Sequence, residues 1–336
     1  MPNFVIHVGP HKTGTKYLQR CLAFHADRLR LRGIVVPTER NHSPENPSHD
    51  SLIQRLNAAG FSELEAKFGR LRAARVKTVV ISAEDISTLS AEGLAMLREL
   101  VGAEPCVVVY YVRRWSELIT SGWQETVKQG WSLPFLDYVL HRYGNPEACA
   151  EINIEPAVEP LIGAFGRSSL RLVSYNQVLE AGLDLFKHFG KNFLGIPNLE
   201  PIAGGRVNAS LSAAEVELIR ELNHIDRVAG QPLCSRIFVN LSERRDSIDI
   251  GPLLSVLNGF TRSFLLRENL PFAREILLRN RAAYADCVVK PVPAIRFYNP
   301  KDTNAVYVAP GYAVPAGFND ALHALRDALV RDWLAD

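Results

Sequence analysis

A β-branched run, Phe4-Val5-Ile6-His7-Val8, stops at Gly9, and apolar positions then return at helical spacing at Leu18, Cys21, Leu22 and Leu29. Similar short apolar runs recur at 33–36, 77–82, 106–112 and 169–173, with helical patterns between them. That alternation is the βαβ signature of a mostly parallel sheet with helices on both faces, so the predicted class is α/β. Ligands of such sheets bind beyond the carboxyl ends of the strands, where Lys12, Glu84 and Arg113 fall. The polar, proline-punctuated stretch 37–50 reads as a long surface loop, a length that often carries function. Past about residue 200 strand signals fade and helices dominate. One helix starts at Ser212, with Glu215 completing a capping box and Leu211 placed to staple against Val216. Another runs from about Asn319 with Leu322, Leu325 and Leu329 on one stripe. The expected organisation is an α/β core over 1–200 and a helical region over 201–336 packed on it, as one continuous domain without internal repeats.

With 336 residues, 47% of them hydrophobic, the chain can bury a large core. A net charge of +2 gives no global attraction to nucleic acid. The five cysteines, 21, 106, 149, 234 and 287, are scattered without CxxC spacing, which argues against a disulfide frame or a zinc site and for a reducing compartment. No apolar run approaches the roughly 20 residues that span a bilayer, and no leader-like segment precedes the first strand, so the expected location is the cytoplasm.

The loop after the first strand carries the chemistry: Gly9-Pro10-His11-Lys12-Thr13-Gly14-Thr15-Lys16-Tyr17. Backbone N–H groups in the first turn of a helix lack intrahelical acceptors and sit at the positive end of its dipole, so a loop opening a helix favours an anion. Lys12 adds a cation, and Thr13 and Thr15 add hydroxyls. Gly9 and Gly14 have the spacing of the nucleotide-kinase phosphate loop, but Thr15 stands where that loop needs lysine.

The loop instead resembles the 5′-phosphosulfate loop of sulfotransferases that use 3′-phosphoadenosine-5′-phosphosulfate (PAPS), with the pattern Pro-x-Lys-Ser/Thr-Gly-Thr, then Thr or Ser and an aromatic. Pro10, Lys12, Thr13, Gly14, Thr15 and Tyr17 match, and Lys16 departs from the pattern. The family's 3′-phosphate motif, an arginine at a strand end and a serine eight positions on, is similar to Arg113 and Ser121 after the strand Cys106–Val112. The family has Asp/Asn-Pro after that arginine where this chain has Arg114-Trp115, and the spacing favours Arg113. The resemblance extends to Tyr175, placed like a tyrosine that approaches the adenine, to Tyr17 as the aromatic stacking on it, and to the basic glycine loop Gly204-Gly205-Arg206, where the family closes a segment over the nucleotide.

What the resemblance implies is a core like that of the P-loop NTPases, three layers around a mostly parallel sheet, and transfer of a sulfuryl group from PAPS to a hydroxyl on a carbohydrate or small metabolite, without a metal. Such transfer asks for in-line positioning and neutralisation of charge growing on the leaving phosphate, the task of Lys12, and for a base to take the acceptor's proton. Glu84, leaving a strand at the ligand edge of the sheet, is the foremost base candidate, with His49, Glu39 and His11 as alternatives. Two other readings are a P-loop nucleotide-dependent kinase, for which the Walker lysine and an acidic strand end are missing, and a non-catalytic nucleotide-binding protein.

Overall fold

The computed structural model describes residues 3–37, 56, 60–74, 76–103, 105–202, 211–229, 236–244, 247–289, 301–309 and 314–330. Its strands are β1 (Asn3–Val8), β2 (Ile34–Val35), β3 (Thr78–Ala83), β4 (Cys106–Val112), β5 (Leu170–Ser174), β6 (Thr261–Leu266) and β7 (Thr303–Val308). The helices before residue 200 are α1 (Thr15–Phe24), α2 (Ala26–Arg30), α3 (Phe61–Ala73), α4 (Ala91–Val101), α5 (Trp115–Lys128), α6 (Phe135–Gly144), α7 (Glu155–Phe165), α8 (Tyr175–Glu180) and α9 (Leu185–Phe193). Beyond it come α10 (Ala213–Val228), α11 (Arg236–Glu243), α12 (Gly251–Gly259), α13 (Pro271–Ala283) and α14 (Phe318–Val330).

The chain divides into two compact units. The first comprises Met1–Arg114, Glu147–Asn208 and Pro271–Pro300. It holds a five-stranded sheet in the order β2-β3-β1-β4-β5, every pair parallel. Each of the five apolar runs read from the sequence is one of these strands. Alternation along each strand splits its apolar residues between two faces. Phe4, Ile6 and Val8 join Val79, Ile81, Val108 and Tyr110 under Phe68 of α3, Leu97 of α4 and Val158 of α7. Val5, Val80, Val109 and Tyr111 meet Leu18 and Leu22 of α1 and Phe186 and Phe189 of α9 on the other side. The result is a three-layer α/β core of the P-loop type, with the central strand β1 feeding straight into the loop and α1. The connections leaving β1 and β4 run toward opposite edges of the sheet, and such a switch point opens a crevice at the carboxyl edge.

The second unit comprises Trp115–Pro146, Ala209–Leu270 and Lys301–Asp336. α10 starts on the expected capping box, Ser212 Oγ accepting from the Glu215 N–H while the Glu215 carboxylate accepts from the Ser212 N–H. Leu322, Leu325 and Leu329 of α14 are buried as the helical stripe requires. A feature absent from the sequence reading is the antiparallel pair β6–β7. Its strands carry exposed apolar residues such as Leu265 and Val306 and polar ones between them, so neither shows the clean alternation that marks a half-buried strand. The unit's aromatic centre is Phe135, edge-on to Trp123 at 5.2 Å and tilted against Tyr307 at 5.4 Å.

Among the described residues, Cys21, Cys106, Cys149 and Cys287 are free thiols, and no helix is long and apolar enough to cross a membrane.

Candidate functional site

The loop from Gly9 to Gly14 leaves the carboxyl end of β1 and is closed over its own backbone. A β-carbon at Gly9 would lie 2.8 Å from both Thr13 Oγ1 and Thr15 Oγ1, too close for any side chain. Thr13 Oγ1 donates to the Pro10 carbonyl at 2.8 Å, and both threonines are buried. Gly14 is left-handed (φ 78°), and a β-carbon there would strike Leu185 of α9 at 2.7 Å. Lys12 is also left-handed (φ 71°), a conformation that costs an L-residue about 1–2 kcal/mol and tends to mark ligand-binding turns. The first intrahelical bond of α1 runs from Leu18 N–H to the Gly14 carbonyl, so the N–H groups of the turn before it have no acceptor within the helix. Replacing Gly9 with alanine should push the two hydroxyls apart and lower stability by about 1–3 kcal/mol. A urea midpoint equal to that of the unmodified protein would show that the loop does not close over this position.

Two arginines follow β4 and do different work. Arg113 Nη1 donates to the Lys12 carbonyl at 2.6 Å, and its guanidinium lies 5.3 Å from the centre of the Tyr175 ring. Tyr175, the first residue of α8, in turn lies against Gly14, 3.6 Å from the position of a β-carbon there. Arg114 is buried; its N–H donates to Asn176 Oδ1 at 2.9 Å and its guanidinium is paired with Glu180. Arg113 is therefore the strand-end guanidinium that meets the loop.

Glu84 follows β3, the other neighbour of β1, and its Oε2 lies 2.6 Å from His11 Nδ1. Lys12, His11, Glu84, Arg113 and Tyr175 thus come together around one loop at the carboxyl edge of β1, β3, β4 and β5. Lys16 points from the exposed side of α1. The Tyr17 hydroxyl donates to Asp184, the N-cap of α9, and burial followed by that bond raises its pKa. Ser121 belongs to the second unit, where its hydroxyl donates to the Glu117 and Leu118 carbonyls of α5. His49, Glu39 and Arg206 lie outside the described residues.

Beneath the loop is a polar layer that the sequence reading passed over. His7 on β1 is fully buried and faces its strand neighbour Ser82, with Nδ1 2.8 Å from Ser82 Oγ. Gln19 of α1 donates to the Ser82 carbonyl at 2.9 Å. The His7 ring is edge-on to Tyr111 at 5.4 Å, and the Tyr111 hydroxyl lies 3.2 Å from His188 Nδ1. Burial pushes the His7 pKa down to about 3, and burial together with Lys191 pushes that of His188 down to about 4. His7 Nε2 finds no hydrogen-bond partner among the described residues and lies 3.5 Å from the point where a Gly9 β-carbon would be. The available signal was a polar residue inside each of two otherwise apolar strand runs.

No family model and no curated protein matches the chain. Among solved structures, a sulfotransferase from Alicyclobacillus acidocaldarius aligns with 69% of this chain and 97% of its own, at a TM-score of 0.38 and 15% identity. A likeness that loose carries no functional argument.

Proposed function

We propose that this protein is a PAPS-dependent sulfotransferase that moves a sulfuryl group to a hydroxyl on a carbohydrate or small metabolite in the cytoplasm. The observation that carries the reading is the 2.6 Å bond from Arg113 to the Lys12 carbonyl, which joins the two anion-binding elements read from the sequence at one crevice. The loop suits an anion on its own terms. Gly9 lets the loop pack against the buried hydroxyls of Thr13 and Thr15, and the positive end of α1 opens from it. The 5′-phosphosulfate would be held by Lys12, Thr13, Gly14 and Thr15, with Pro10 and His11 on the same loop and Lys16 in the first turn of α1. Arg113 would take the 3′-phosphate, and Tyr175, Tyr17 and Arg206 would serve the nucleoside. The first unit would supply the donor-binding core.

Lys12 would balance negative charge growing on the phosphate that leaves when the sulfuryl group departs. The guanidinium fork of Arg113 offers two parallel charge-assisted bonds to one phosphate, which discriminates the donor from adenine nucleotides lacking a 3′-phosphate.

Titration calorimetry with 3′-phosphoadenosine-5′-phosphate (PAP), AMP and ATP tests the reading. PAP is expected to bind more tightly than either, and Arg113→Ala to remove about 1.5–3 kcal/mol of that preference. Equal affinity for PAP and AMP would rule out a 3′-phosphate site.

A further inference from the structure

Transfer to a hydroxyl leaves the acceptor's proton in need of a destination. We propose that His11 is the general base of this site and that Glu84 is its positioning residue, an assignment that rests on the sulfotransferase reading. Glu84 is mostly withdrawn from solvent (14% exposed) while His11 is 51% exposed, so the carboxylate is the anchored partner and the imidazole the accessible one. With Nδ1 2.6 Å from Glu84 Oε2, the ring carries its proton on Nδ1, where the carboxylate accepts it. The lone pair is then on Nε2, at the opposite edge of the ring. A carboxylate that orients and charges an imidazole is the arrangement that makes histidine a competent base, whereas a carboxylate already accepting from a neighbour is a weaker one.

His11 is also part of the sulfuryl-binding loop itself, adjacent to Lys12 and one residue after Pro10, whose carbonyl Thr13 holds. Base and electrostatic partner of the leaving group thus ride on one short rigid segment. In the step, His11 Nε2 takes the proton of the acceptor hydroxyl as its oxygen bonds to sulfur. The bond from sulfur to the bridging phosphate oxygen breaks, and its electron pair stays with the 5′-phosphate of departing PAP. Glu84 stabilises the imidazolium that remains. A base of this kind suits an aliphatic hydroxyl, which ionises far above neutral pH, better than a phenol, which needs less help.

Water serves as the simplest hydroxyl acceptor, so release of inorganic sulfate from PAPS by the full chain reads the base without knowledge of the natural acceptor. His11→Ala is expected to lower that release by about 10²–10⁴ with PAP affinity by calorimetry unchanged, and added imidazole to restore part of it. Glu84→Gln should lower the rate at least about tenfold at constant KM for PAPS, with partial recovery in Glu84→Asp. Nitrogen-15 NMR of His11 should report the Nδ1–H tautomer in the unmodified protein and its loss in Glu84→Gln. Unchanged sulfate release in His11→Ala, or an Nε2–H tautomer in the unmodified protein, would overturn the base assignment. So would a loss of PAP binding in parallel with the rate, which would make the pair a tether for the loop. Failure of the unmodified protein to bind PAP would instead overturn the donor reading, and the base assignment with it.

Discussion

Lys12→Ala is expected to slow sulfuryl transfer by about 10²–10³ while the protein stays folded. The charge that grows during the step sits on the bridging oxygen of the leaving phosphate, and a cation fixed before the reaction starts stabilises it without reorganisation at the barrier. Lys12 is fixed in two ways. Its backbone is held in the left-handed region, and its carbonyl accepts from Arg113. Neither constraint involves the ammonium group, so alanine should keep the turn and lose the charge. Single-turnover release of PAP from bound PAPS, with unfolding followed in parallel, separates the two effects. A rate within a few-fold of the unmodified protein would show that the loop grips an anion but takes no part in the chemistry.

The second large effect is on stability in acid. His7 and His188 are buried and stay neutral, with pKa values pushed from the ordinary 6.5 down to about 3 and about 4. The unfolded chain takes up a proton on each as pH falls below 6.5, and the folded protein does not, so their contribution is complete above that value and is lost as pH drops toward 4 and 3. Between pH 7 and pH 5 each histidine should remove about 2 kcal/mol from the free energy of unfolding. Urea denaturation at the two pH values measures the sum, and His7→Asn should remove about half of the pH dependence. A midpoint that does not move over this interval would mean that both histidines take up protons in the native protein as readily as in the unfolded chain.

Strands and helices were readable because burial on both faces of a parallel sheet demands long β-branched runs, and such runs at 4–8, 77–82 and 106–112 have no other easy home. The loop was readable because glycine, lysine and threonines cluster only where a backbone must approach an anion. Contacts between loops on neighbouring strands were not. His11 and Glu84 meet because β3 pairs directly with β1, although β2 and α3 intervene in sequence, and nothing near either residue announces the other. The preference for Arg113 over Arg114 came from spacing alone; the physical difference is that Asn176 and Glu180 claim Arg114, and both lie on α8, far along the chain. His7 was read as one more member of an apolar run because its partner Ser82 lies in a different strand.

Consecutive arginines at a strand end project to opposite sides, so register decides which of them meets the loop. A slip of β4 by one residue along β1 would trade their places, sending the guanidinium now neutralised by Glu180 toward Lys12 and burying its neighbour. The bond from Arg114 N–H to Asn176 Oδ1 ties the end of β4 to α8, which follows β5, and so couples the placement of the two arginines to the neighbouring pair β4–β5. An inserted or deleted residue in β4 would therefore rewire the crevice even if every apolar side chain in the sheet found an acceptable new position.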